Sequence, residues 1–103
     1  MTQSFTHKSF GFKSELSYED CKQVLKNLDP VTSKGGDSDM LGRHYQVTLR
    51  NGVKVELWNS REAMGLKIDI DFEINVIFEK GMEVDALIAQ VLKDMGAYDV
   101  LSI

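Results

Sequence analysis

"RHYQVTLRNGVKVELW", residues 43–58, can be folded into a hairpin in two ways, and the choice between them decides the architecture. If Asn51-Gly52 alone makes the loop, Arg50 pairs with Val53 and Val47 with Glu56, mixing apolar and polar side chains on both faces. If Arg50 and Asn51 make a type I turn and Gly52 takes the left-handed bulge position, Leu49 pairs with Val53, Val47 with Val55 and Tyr45 with Leu57. A slip of one residue turns a whole strand over, so the three-residue loop is expected. One face is then dry. The other sets Thr48 against Lys54, Gln46 against Glu56 and His44 against Trp58, leaving the only tryptophan of the chain on the polar side.

Downstream, "KIDIDFEINVIFEK" at residues 67–80 alternates in the same manner. Ile68, Ile70, Phe72, Ile74, Val76 and Phe78 fall on one side; Asp69, Asp71, Glu73, Asn75, Ile77 and Glu79 fall on the other. Period two over this length predicts a third strand of the meander. Between the hairpin and this strand, "NSREAMG" predicts a turn or a single helical turn.

Two helices flank the meander. In "ELSYEDCKQVLKNLDP" Ser17 is the expected N-cap, with Asp20 three residues on in the place usually held by Glu. Leu16 and Cys21 form a hydrophobic staple across that cap. Cys21, Val24, Leu25 and Leu28 share one face at helical spacing, and Asp29-Pro30 ends the helix, since a residue before proline is pushed out of the α region. Cys21 on this stripe is expected to be a packed thiol. In "EVDALIAQVLKDMG" the stripe is Val84, Leu87, Ile88, Val91, Leu92 and Met95, with Gly96 at the C-terminal cap. The apolar "AYDVLSI" that follows predicts a short last strand.

The remaining segments are weakly patterned. Residues 1–16 read either as partly disordered or as carrying a short strand near residues 8–13, where Phe10 and Phe12 alternate about Gly11. Residues 30–42, "PVTSKGGDSDMLG", read as a long flexible loop because Gly, Ser and Asp dominate. The glycines there lack the strand-before, helix-after context of a phosphate-cradling loop.

The order (β)-α-β-β-β-α-β, with one apolar side per strand and one stripe per helix, predicts an α+β two-layer sandwich. Both helices pack on one face of an antiparallel meander. The last strand is expected to return beside 67–80 by a helical crossover. At 103 residues this is one domain, residues 1–103, with enough chain for a core without staples.

Composition narrows the function classes. One cysteine excludes an internal disulfide and any Cys-only metal site. No apolar run approaches the ~20 residues needed to cross a bilayer, and the first ten residues carry no signal-peptide core, so a cytoplasmic protein is expected. Net charge is −4, but residues 1–55 carry +2 and residues 56–103 carry −6.

The open sheet face is therefore expected to carry Glu56, Trp58, Asp69, Asp71, Glu73 and Ile77 as a partner-binding surface. Carboxylates about 6.6 Å apart along a strand repel by only about 0.6 kcal/mol in water, so the row is tolerable unaided. An indole and an isoleucine beside it resemble the centre of a protein–protein contact, and the carboxylates would steer a basic protein partner. Nuclease immunity proteins and phage anti-defence factors use such acidic surfaces against nucleic-acid-binding proteins; the analogy is one of charge pattern. A small non-enzymatic inhibitor needing no cofactor is the first expectation, as a monomer or homodimer. The alternatives are a metal-dependent enzyme using Asp69, Asp71 and Glu73, or a homo-oligomeric structural subunit. Direct nucleic-acid binding is disfavoured. Helix, three-stranded meander, helix is also the order of the double-stranded RNA-binding domain, but here Glu79, Glu83 and Asp85 surround the lone Lys80 where that family is basic.

Overall fold

The computed structural model describes residues 4–38, 42–62 and 69–103. In chain order it contains β1 (Phe5–Lys13), α1 (Tyr18–Lys26), β2 (Thr32–Ser38), β3 (Gly42–Thr48), β4 (Lys54–Asn59), a 3-10 turn (Ser60–Glu62), β5 (Phe72–Glu79), α2 (Asp85–Asp94) and β6 (Tyr98–Ser102). The six strands form one antiparallel sheet in the order β2-β3-β4-β5-β1-β6. Both helices contribute to a single core on one side of it, through Cys21 and Leu25 of α1 and Ile88 and Val91 of α2. The chain is an α+β two-layer sandwich.

The hairpin adopts the three-residue loop. His44 pairs with Trp58, Tyr45 with Leu57, Gln46 with Glu56, Val47 with Val55 and Thr48 with Lys54. The Leu49 amide donates to Val53 O at 2.8 Å, and Gly52 sits at φ +88. Tyr45, Val47, Val53, Val55 and Leu57 are all buried. Alternation alone therefore selects the dry face.

The helix boundaries follow their caps. The Asp20 amide donates to Ser17 Oγ at 3.1 Å, and Asp29, just before Pro30, lies at φ +56 beyond the end of α1. At the end of α2, Gly96 takes φ +65 and the Ala97 amide donates back to Leu92 O, closing the last turn. Cys21 is fully buried against this core, and burial pushes its thiol up to about 11.

Four expectations need correction. Within the expected loop at 30–42, Thr32–Ser38 form an edge strand paired residue for residue with β3, and residues 39–41 fall outside the described residues. The segment is held by its pairing to β3, and at Gly36 it passes close to the His44 ring, where a Cβ would stand 2.9 Å from Cε1. A glycine in a strand marks such a close approach. Next, the first segment is neither disordered over residues 4–13 nor confined to 8–13. β1 spans nine residues and lies between β5 and β6, held by eight paired positions along β5. The last strand accordingly lies beside β1, not beside 67–80. Finally, β5 begins at Phe72, so Asp69, Ile70 and Asp71 are a lead-in to the ladder, and residues 67–68 fall outside the described residues. Ile70 is 7% exposed but does not join the helix-side core. Its Cδ1 lies where a Cβ of Gly11 would come within 2.8 Å, and Gly11 pairs with Glu73 of the open face.

Candidate functional site

The register defines the open face as rows of side chains running across the strands. One row is His7, Ile77, Lys54, Thr48, Thr32; the next is Ser9, Asn75, Glu56, Gln46, Lys34; a third is Leu101, Gly11, Glu73, Trp58, His44, Gly36. On β3, β4 and β5 the members of these rows alternate with the buried core residues, so the rows lie on the side of the sheet away from the helices.

The third row holds the most specific chemistry. The His44 and Trp58 rings stack with centroids 4.4 Å apart and planes 25° apart. Gly36 makes room for the imidazole on the β2 side, as its missing Cβ shows. On the β5 side Trp58 faces Glu73, its cross-strand partner. Among the described residues no second ring and no cation packs on the indole, and Glu73 makes no ion pair. The row therefore presents an aromatic wall on one side and a half-buried carboxylate on the other. Glu56, two residues before Trp58 on β4 and diagonal to Glu73, accepts one long hydrogen bond of 3.4 Å from Asn75 Nδ2.

The acidic row expected over residues 69–73 does not persist as a row. Asp69 reaches back to Lys13 Nζ at 2.9 Å, and its carboxylate is the first cause of a raised Lys13 pKa. Asp71 is occupied on both oxygens. Arg61 Nε lies 3.2 Å from Oδ1, and the Ser14 amide donates to Oδ2 at 3.0 Å. Arg61 also donates to Ser14 O at 2.7 Å, and its guanidinium lies 4.6 Å from the Phe72 ring centre. Partial burial pushes the Asp71 carboxyl up, but the Arg61 and Ser14 hydrogen bonds outweigh it and hold the group below its ordinary value. Asp71 thus ties the start of β5 to the end of β1. Asp69 and Asp71 turn to separate partners, and among the described residues no three His, Cys, Asp or Glu side chains gather closely enough to hold a metal.

The same face also carries cations. Lys34 and Lys54 stand in the first two rows without an ion pair among the described residues. Ile77 lies beside a hollow of about 570 Å³ bordered by Phe5, Arg50, Lys54 and Glu79. The face is therefore polarised: among the described residues, carboxylates without an ion pair lie around Trp58 and cations without one lie toward the hairpin turn and β2.

Of the six residues singled out in the sequence, Glu56, Trp58, Glu73 and Ile77 share this face, Asp69 is drawn to its margin, and Asp71 is part of the scaffold. Sequence reading missed Gly36, Arg61, Ser14 and Lys34. The signal for Gly36 was the Gly35-Gly36 pair, with Gly36 eight positions before His44; Arg61 and Ser14 carry no local signal, because their contact spans 47 residues. No protein-family model matches this chain, and no curated protein is detectably similar to it.

Proposed function

We propose that this chain is a small non-enzymatic binding protein of the cytoplasm that receives a basic side chain of a protein partner between Trp58 and Glu73. The observation that carries this reading is the stacked His44–Trp58 pair standing beside Glu73, which makes no ion pair among the described residues. A guanidinium entering that slot would lie on the free face of the indole and bond Glu73 at once, and arginine favours such paired stacking and ionic contact. The stack on His44 holds the indole upright, so little side-chain freedom is lost when the slot fills.

The sharper form, an inhibitor or immunity-type factor that occupies the phosphate groove of a nucleic-acid-binding protein, rests on the −6 charge of residues 56–103. Lys34 and Lys54 on the same face weigh against a surface imitating a phosphate backbone. A basic protein segment is the favoured partner. The metal-enzyme alternative loses ground to the separate partners of Asp69 and Asp71. Among the described residues no helix is long and apolar enough to cross a membrane.

The test is capture from a cell extract on the immobilised chain, with the bound proteins identified by mass spectrometry. Wild type should retain a basic protein that both Trp58→Ala and Glu73→Lys release while circular dichroism stays unchanged. A captured set that is acidic, or indifferent to both substitutions, would overturn the reading.

A further inference from the structure

The two edges of the sheet differ in kind. β2 is built of Thr, Ser, Lys, Gly and Asp, the composition that discourages strand addition. β6, Tyr-Asp-Val-Leu-Ser, displays large apolar side chains on both sides. Of six large hydrophobic residues exposed among the described ones, four lie in residues 98–103: Tyr98 at 44%, Val100 at 42%, Leu101 at 46% and Ile103 at 45%. An exposed edge strand that displays large apolar side chains is a template for the addition of another strand.

We propose that β6 pairs with β6 of a second copy of this chain, antiparallel and across a two-fold axis, joining two six-stranded sheets into one. This surface is separate from the Trp58–Glu73 slot. The Ile103 amide donates to Ser9 O at 2.9 Å, so by alternation the amides of Val100 and Ser102 point away from β1, toward the free edge. Asp99 lies at φ +51, where the β1–β6 register shifts, and this bulge bars residues before Val100 from a regular ladder. The usable stretch is therefore 100–102. A two-fold axis then sets Val100 against Ser102 of the partner subunit, and Leu101 against Leu101 of the partner subunit in a non-hydrogen-bonded pair. Such an isologous contact closes on itself and leaves no further edge of this kind. The ladder is short, so the contact belongs to the small interfaces and the dimer is concentration-dependent.

The register gives a specific test. Non-hydrogen-bonded antiparallel pairs have Cα atoms about 4.5 Å apart, within the ~4.4–6.8 Å that a disulfide spans. Leu101→Cys, treated with diamide, should give a disulfide-linked dimer on the order of tenfold faster than Ser33→Cys on the opposite edge. Cys21 is buried and does not compete. Light scattering over a concentration series should show the wild-type mass rising from 11.6 kDa toward twice that value, and Val100→Lys should hold it at the monomer. A wild-type mass that stays monomeric at millimolar concentration, a dimer that survives Val100→Lys, or equal crosslinking at positions 101 and 33 would each overturn the proposal.

Discussion

Asp71→Asn separates the scaffold from the surface. In the sequence Asp71 and Glu73 are equivalent members of one alternating row, yet Asp71 bonds Arg61 and the Ser14 amide whereas Glu73 makes no ion pair among the described residues. Replacing the Asp71 carboxylate by an amide keeps one acceptor but removes the charge from both bonds. Hydrogen bonds to charged groups are worth about 1.5–3 kcal/mol, and this pair is partly exposed, so the expected loss is about 2 kcal/mol. For a domain near 100 residues that lowers Tm by roughly 8–16 °C. Glu73→Gln, a substitution on the open face, should stay within about 0.5 kcal/mol of wild type. Thermal unfolding followed by circular dichroism at neutral pH reads both. The pH dependence has a fixed sign. The Asp71 pKa is lowered in the fold from 3.8, so its contribution is present above the unfolded value and fades as pH falls below about 4 through the folded value. The difference between wild type and Asp71→Asn should therefore shrink in acid. Equal melting temperatures for Asp71→Asn and Glu73→Gln would refute the assignment of Asp71 to the scaffold.

Three further outcomes are expected. Gly36→Ala should displace the His44 ring, because the new methyl would stand 2.9 Å from Cε1; the change will appear as a shift in Trp58 emission with the fold retained. Cys21 should resist Ellman's reagent in the native state, since a thiol near 11 leaves roughly one part in a thousand as thiolate at pH 8, and should react fully once guanidinium unfolds the chain. Gly52→Ala should cost about 1–2 kcal/mol, as the bulge position at φ +88 penalises any Cβ though no neighbour crowds it, measurable by urea denaturation.

What the sequence made legible was whatever one apolar side could dictate. The β3–β4 register was readable because slipping it would bury Glu56, and α1 and α2 because their stripes and caps agree. β2 was hidden for the opposite reason: Thr32–Ser38 has no apolar alternation, and it becomes a strand through backbone pairing to β3 and the glycine that accommodates His44. β1 carries a readable Phe10–Gly11–Phe12 alternation, but its place between β5 and β6 is a long-range fact with no local mark. The candidate site divides along the same line. Trp58, Glu56, Glu73 and Ile77 were placed by the alternation of regular strands. Asp69, Ile70 and Asp71 precede the ladder, where period two ceases to fix direction, and their partners Lys13, Gly11, Ser14 and Arg61 come from distant segments.

Trp58 is the only tryptophan, so its fluorescence reports on the slot directly. Titration with an arginine-rich peptide should change its emission along a saturable curve, and Glu73→Lys should abolish the change without altering the unfolding transition. Emission indifferent to the peptide, or an identical curve in Glu73→Lys, would contradict the claim that the indole and Glu73 together receive a cation.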